Sequence, residues 1–362
     1  MKLGWRPRRT IILASWDAEE YSLVGSTEWV EDNIDWIRAD VIAYVNVDAA
    51  VTGSEFGASA SPIFKDLLFA ATKKVAFPGT NETVYDAWLR QSQGTQANDK
   101  AALDEHDYDS DLGSNSAERH TPPVLSLGAG SDYTPFMSHA GVSSLNLGFG
   151  GGLGTYHSNY DSFKQMTTFV DPNFELHQAM TRICGLIVIH LADDAVLKLS
   201  PISYAKALGG YIRDLERQVA VHTAASSNVT AIKHLRRLRA AQRQFLTNAH
   251  LVEQSKRRLR AVYGEDCQMA GRRRRMNCRK LRKSINDRVS RLERHFIDPE
   301  GIPGREWYKH ALVGPGRWLG YDAQVFPAIA EAAEDHKWKM LRQYEKRTAE
   351  IIYEAAWFLR EV

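Results

Sequence analysis

The chain has 362 residues, 44% hydrophobic and 25% charged, the make-up of an ordinary globular protein and not of a disordered or fibrous one. It holds no apolar run of the length, about 18 residues, that crosses a bilayer, and its three cysteines are too few for a disulfide scaffold. The net charge of +2 selects no partner, because it conceals a polarity: Arg and Lys crowd residues 233–283 while acids gather at 98–118.

The length exceeds that of one hydrophobic core, so two units are expected. Residues 10–14 (Thr-Ile-Ile-Leu-Ala) are short, apolar and β-rich and predict a strand; residues 26–37 predict a helix, and residues 41–47 a second strand. A helix is expected over 61–76, with Ser61 as its cap and Pro62 at its first position. Residues 91–123 are polar, acidic and rich in Asn, Ser, Gly and Asp, which reads as a long surface loop. A strand over 143–149 and a long helix over 171–195 follow. This alternation implies an α/β sheet covered by helices, taking up residues 1–199.

After Leu199-Ser200-Pro201 the pattern becomes helical only. Apolar stripes run through Tyr204, Leu208, Tyr211, Leu215 and Val219; through Ile232, Leu235, Leu238 and Phe245; through Leu281, Ile285, Val289, Leu292 and Phe296; and through Trp338, Leu341, Tyr344, Thr348, Ile351, Ala355 and Leu359. They predict a helical bundle over 200–362. Trp357 and Phe358 fall off the last stripe, a place for a second copy of the chain.

The sharpest chemical feature is Ser15-Trp16-Asp17-Ala18-Glu19-Glu20, directly after the first expected strand, with Asp48 just past the second. Strand ends are where α/β proteins build their sites. Neighbours at a frayed strand end point different ways, so Glu19 and Glu20 can divide the work, one holding a metal and one moving a proton. Tyr156-His157-Ser158 adds an imidazole after a glycine-rich loop, and carboxylates with imidazole favour zinc. Spacing alone also describes ordinary surface acids.

Other chemistries fit worse. There is no His-Glu-x-x-His helix, no Gly-x-Ser-x-Gly elbow and no Walker loop, and the glycine run opens no dinucleotide-binding helix. Asp104-Glu105-His106-Asp107 reads as a solvated acidic loop. Arg272-Arg273-Arg274-Arg275 with Arg279, Lys280, Arg282 and Lys283 carries no interleaved aromatic and reads as a solvated helix face, with no nucleic-acid partner expected. Cys267 and Cys278 can close one bridge in an oxidising compartment. The sequons at Asn81 and Asn228 lean toward a secretory or vacuolar lumen. Met1 to Pro7 form neither a signal peptide nor an anchor.

The stretch Gly4-Trp5-Arg6-Pro7-Arg8-Arg9-Thr10 through Ser15-Trp16-Asp17-Ala18-Glu19-Glu20 and Gly25-Ser26-Thr27-Glu28-Trp29 resembles the glutamate carboxypeptidase (folate hydrolase) and transferrin-receptor family of di-zinc exopeptidases. The likeness continues through Tyr44-Val45-Asn46-Val47-Asp48, Leu127-Gly128-Ala129-Gly130-Ser131-Asp132-Tyr133, Tyr156-His157-Ser158 and residues 296–303, then Tyr321 and Phe326-Pro327, and so spans nearly the whole chain. It implies Glu19 as general base, Glu20 and His157 as ligands of one zinc, and Asp48 as a ligand of the other. It further implies that Gly130, Ser131, Asn146, Tyr156 and Tyr321 line the peptide substrate, that Glu28 and Glu31 sit where the family holds a structural calcium, and that residues 200–362 make a homodimer.

The resemblance also sets limits. The family draws one histidine and a bridging aspartate from upstream of Thr10, so the expectation is an N-terminally truncated peptidase domain with an incomplete zinc shell and little activity by itself. The intact form is expected in the secretory pathway, the vacuole or at the cell surface, touching a membrane only through an N-terminal anchor that this chain lacks. Asn146 and Gly148 stand in place of family arginines and Gly320 in place of a lysine, which weakens the case for glutamate as substrate, since a carboxylate needs a paired cation. Ser22 replaces a glycine and Ser131 an asparagine. The competing reading is a transferrin-receptor-like homodimeric scaffold without catalysis.

Overall fold

The structure, a computed structural model, describes residues 4–99, 121–152, 154–224, 235–268, 271–318, 320 and 322–360. Its first half is organised by a mixed sheet of β1 (Tyr44–Asn46), β2 (Glu55–Ala60) and β3 (Ser144–Gly150) in the order β1-β3-β2. The central strand β3 runs parallel to β1 and antiparallel to β2. Leu145, Leu147 and Phe149 alternate along β3 into the core, as a period of two requires. Asn46 and Ser59 both lie opposite Asn146, so three polar side chains form a rung across the strands.

Helices α3 (Lys65–Thr72), α4 (Val84–Asp99) and α6 (Glu175–Asp193) pack around this sheet, α4 resting Trp88 edge-on against Phe56 of β2 at 5.1 Å between ring centroids. A smaller core of Val30, Ile37, Phe136, Ala140 and Val142 forms under α1 (Val24–Asp32) and α2 (Ile34–Asp40), the two pieces into which the expected helix over 26–37 breaks at Asn33. A single helical turn, α5 (Phe163–Gln165), precedes α6. Asp171 organises the start of α6: its carboxylate accepts from the backbone N–H groups of Glu175 and His177 and from the His177 ring at 2.7 Å. These bonds satisfy donors that the first helical turn leaves open.

Three expectations need correcting. Residues 10–14 make no β-ladder, and Ile11, Ile12 and Leu13 are 38%, 56% and 94% exposed. Strand composition is not enough, because a strand exists only when its N–H and C=O groups meet a neighbour, and none of the described strands lies alongside. The expected loop from 91 is helical to Asp99, while residues 100–120, with the acidic run at 104–107, lie outside the described residues. The helix over 61–76 is shorter, a 3-10 turn at Pro62–Phe64 leading into α3.

From Pro201 the chain is helical, as the stripes predict: α7 (Pro201–Ala224), α8 (Arg236–Tyr263), α9 (Arg272–Ser290), α10 (Pro327–Glu334) and α11 (Trp338–Arg360), with a small antiparallel hairpin of β4 (Val313–Pro315) and β5 (Ala323–Val325). Ile232 lies outside the described residues. Helices α8 and α11 pack on each other, Leu238, Phe245 and Val252 being fully buried with Leu341, Ile352 and Leu359, while Ile351 of the expected stripe is only half-buried. Each such side chain contributes roughly 1.5–3 kcal/mol over its exposed state. Cys267 and Cys278 are disulfide-bonded across the turn between α8 and α9, with Cα atoms 5.7 Å apart.

One apolar core runs without a break from the sheet to the bundle, taking in Leu145, Leu147, Tyr204, Leu208, Phe245, Phe296 and Ile352. A buried polar knot sits within it. Glu293 accepts from Tyr204 Oη at 2.8 Å, from His310 Nε2 at 3.0 Å and from Ser143 Oγ at 3.0 Å. The opposite ring nitrogen of His310 accepts from the N–H groups of Leu312 and Val313, which leaves the proton on Nε2. Burial and the Glu293 carboxylate push the Tyr204 hydroxyl far above its usual range.

Candidate active site

The loop carrying Glu19 and Glu20 is anchored from below. Trp16 wedges between Trp29 and Phe136, at 5.3 and 6.1 Å between ring centroids, and donates its indole N–H to Tyr44 Oη at 2.9 Å. Gly25 lets α1 start hard against this loop, since a Cβ there would lie 2.3 Å from the Asp17 carbonyl oxygen. Ala18, Ser22 and Leu23, which bracket the 3-10 turn Glu19–Tyr21, all take left-handed backbone, with φ of 55°, 69° and 59°. At Ser22 a glycine would take this conformation without the strain that a Cβ brings. His157 is left-handed too, at φ 55°. Non-glycine residues pay about 1–3 kcal/mol for such geometry, and it concentrates where a site is being held in shape.

The two strained loops meet. His157 Nε2 donates to Glu20 Oε1 at 3.1 Å, both side chains open to solvent, and the Tyr156 ring stacks on the imidazole at 3.8 Å. Glu19 lies beside them, half-buried. Burial pushes its carboxyl above the usual range, the charges of Asp48, Asp132 and Glu20 push it further, and His157 opposes them. Asp48 lies two residues past the end of β1 and is exposed. Asp132, not singled out from the sequence, completes this group of acids. Its carboxyl is raised by burial and by Asp48, against the pull of a 2.6 Å hydrogen bond from Ser26 Oγ. In the sequence Asp132 stands only as one residue of the stretch from Leu127 to Tyr133.

The structure joins two of the residues expected to line the substrate, Ser131 and Asn146, through a third. Asn46 Nδ2 donates to Ser131 Oγ at 2.9 Å and to Asn146 Oδ1 at 3.0 Å, tying β1, the turn after Gly130 and β3 together. The Gly130 N–H donates to Tyr133 Oη at 3.3 Å. Gly148 has a steric reason of its own: a Cβ there would approach the Ala49 carbonyl oxygen to 2.8 Å. Tyr321 lies outside the described residues, next to Gly320 in left-handed backbone at φ 75°. Glu28 and Glu31 are exposed on α1, and Glu31 accepts the Trp307 indole N–H at 2.6 Å.

A catalytic zinc takes three protein ligands and a water. Glu20 and His157 supply two donors of the right kind in contact. Among the described residues no three His, Cys, Asp or Glu side chains gather closely enough to hold a metal, whether at Glu20, at Asp48 or at Glu28 with Glu31. The donor types fit zinc and the donor count does not. Among the described residues, no helix is long and apolar enough to cross a membrane.

Taken together, these features define an α/β protein with an acid-rich site on the loops beside β1, joined through a shared core to a helical bundle. Residues 1–171 match peptidase family M28, and residues 205–360 match the transferrin receptor-like dimerisation domain. The chain is 34% identical over 337 residues to the probable glutamate carboxypeptidase LAMP1 of Arabidopsis thaliana, covering 93% of this chain and 42% of the relative. It is 34% identical over 366 residues to a probable glutamate carboxypeptidase of Arthroderma benhamiae, covering 99% and 44%. To the aminopeptidase NAALADL1 of Rattus norvegicus the identity is 27% over 343 residues, covering 91% and 40%. The chain belongs to the peptidase M28 and transferrin receptor-like family, and it spans about two fifths of the length of these curated relatives.

Proposed function

We propose that this chain forms the catalytic-base half and the dimerisation half of a zinc exopeptidase of the carboxypeptidase type. The observation that carries the reading is the contact of Glu20 with His157 beside a Glu19 carboxyl pushed upward by its acidic neighbours. A carboxyl raised in this way takes a proton from water and returns it to a leaving amine more readily than an ordinary one, because its affinity for the proton lies nearer neutrality. Glu20, His157 and Asp48 are the metal ligands this chain offers, and bound zinc supplies an acidified water and a polarised carbonyl. Among the described residues that shell is incomplete.

Asn46, Ser131 and Asn146 present an uncharged, hydrogen-bonding floor next to this site, which suits a peptide end with an uncharged side chain better than glutamate. Tyr156 lies over the imidazole where a bound peptide would pass. The helical half, through its match to a dimerisation domain, is assigned to pairing with a second copy, and the exposed Trp357 and Tyr353 of α11 suit that role. The disulfide and the exposed Asn81 sequon support a secretory or vacuolar lumen or the cell surface as the place of work.

The test is hydrolysis of a panel of short peptides by the longest natural form of the protein, with zinc measured in parallel. Glu19→Gln is expected to lower turnover by about 100- to 10,000-fold with zinc retained, whereas Glu20→Ala and His157→Ala lose zinc. The acidic limb of the activity profile is expected above the ordinary carboxylate range, following the raised Glu19 carboxyl. Turnover that survives Glu19→Gln would rule out this base.

A further inference from the structure

The basic run of α9 is more ordered than a solvated face requires. Arg272, Arg275, Met276, Arg279, Lys280 and Lys283 recur at steps of three and four residues, so they share one side of the helix, where their side chains border a solvent-open groove of about 620 Å³. All six are exposed. The opposite side is fixed: Cys278 is bonded to Cys267, and Ile285 packs with Leu259 and Val196. The stripe therefore faces outward on a helix that cannot roll.

Local energetics do not explain the stripe. Four arginines occupy the first turn of α9 with no acid among them, the end at which the helix dipole favours negative charge. Cations three and four residues apart also repel one another. Apart from the pairing of Lys283 with Asp287, no salt bridge relieves these side chains among the described residues. A row that opposes both the dipole and its own neighbours is placed for something outside the chain.

We propose that the α9 stripe is a docking surface for a sulfated polysaccharide, a function separate from the peptidase reading. The row extends over roughly 16 Å at the helical rise, which fits successive charges of a linear polyanion and not one small anion. No aromatic lines the groove, so there is no platform on which nucleobases stack. Met276 is the one apolar side chain among the cations, too little to seat a helix in a lipid surface. The adjoining disulfide suits an oxidising compartment, where sulfated chains are available polyanions.

The test is calorimetric titration of the full chain with size-defined heparin over a salt series, using an Arg275→Gln/Arg279→Gln/Lys280→Gln/Lys283→Gln variant. A control variant, Arg236→Gln/Arg243→Gln/Lys339→Gln/Arg342→Gln, makes the same charge change on other exposed sites, and circular dichroism checks both folds. The stripe variant is expected to bind at least about tenfold more weakly and to lose roughly three units of salt slope, as release of counterions from four charges requires. The control is expected to stay within about twofold of the wild type. Equal losses in both variants would reduce the effect to net charge and overturn the proposal. So would absence of heparin binding at about 150 mM salt, or displacement of heparin by phosphatidylserine vesicles or poly(dT) at matched charge, which would assign the surface to a membrane or to nucleic acid.

Discussion

Two carboxylate–imidazole pairs in this molecule have nearly the same length and opposite settings. Glu20 meets His157 at 3.1 Å on strained, solvent-exposed loops, while Glu293 meets His310 at 3.0 Å in the seam between sheet and bundle, with relative exposures of 1% and 0%. The buried pair has every polar atom engaged and is shielded from solvent. The exposed pair makes one bond to each other and is free to exchange it. Burial, not the identity of the residues, separates a structural pair from one available for chemistry.

Unfolding measurements can break that comparison. Glu293→Ala strands Tyr204, His310 and Ser143 without their acceptor and is expected to cost about 3–5 kcal/mol, read as a fall in the urea midpoint, with Glu293→Gln recovering part of it. An intermediate case sharpens the contrast. Asp171→Asn removes the charge that caps α6 and is expected to cost about 1–2 kcal/mol. Burial alone would raise the Asp171 carboxyl, but the His177 ring and the backbone N–H groups outweigh it and hold it below the usual range. Its contribution is therefore present above the unfolded-state value of about 3.9 and is lost as pH falls through the lower folded value. An Asp171→Asn protein with an unchanged acid-unfolding curve would contradict this. Glu20→Gln sits at the small end, under about 1 kcal/mol, as exposed pairs do. A loss above about 2 kcal/mol there would mean that the exposed pair is structural after all.

Much of this arrangement was legible in the sequence, for identifiable reasons. The helical half announces itself because long stripes such as Leu341 to Leu359 can be buried in only one way. Strand β2 escaped notice because Glu55-Phe-Gly-Ala-Ser-Ala carries a single large apolar residue, and its alternation shows only once Phe56, Ala58 and Ala60 are seen facing inward. Helix α4 was hidden by its polar composition after Arg90. Residues 10–14 failed in the opposite sense, since pairing depends on a neighbour and not on the residues alone. At the site, the Glu20–His157 contact joins positions 137 residues apart and rested on the family likeness. Asp132 was passed over because a lone acid in a turn has no pattern until its neighbours surround it.

The unbroken core that links Leu145 of β3 to Ile352 of α11 has a mechanical consequence. Separating the chain at the Ser200-Pro201 junction would not yield two soluble modules, since each piece would bare the apolar surface that the other now covers. The halves should melt in one transition and be inherited together, and a lesion deep in the bundle should loosen the strand that presents Asn146.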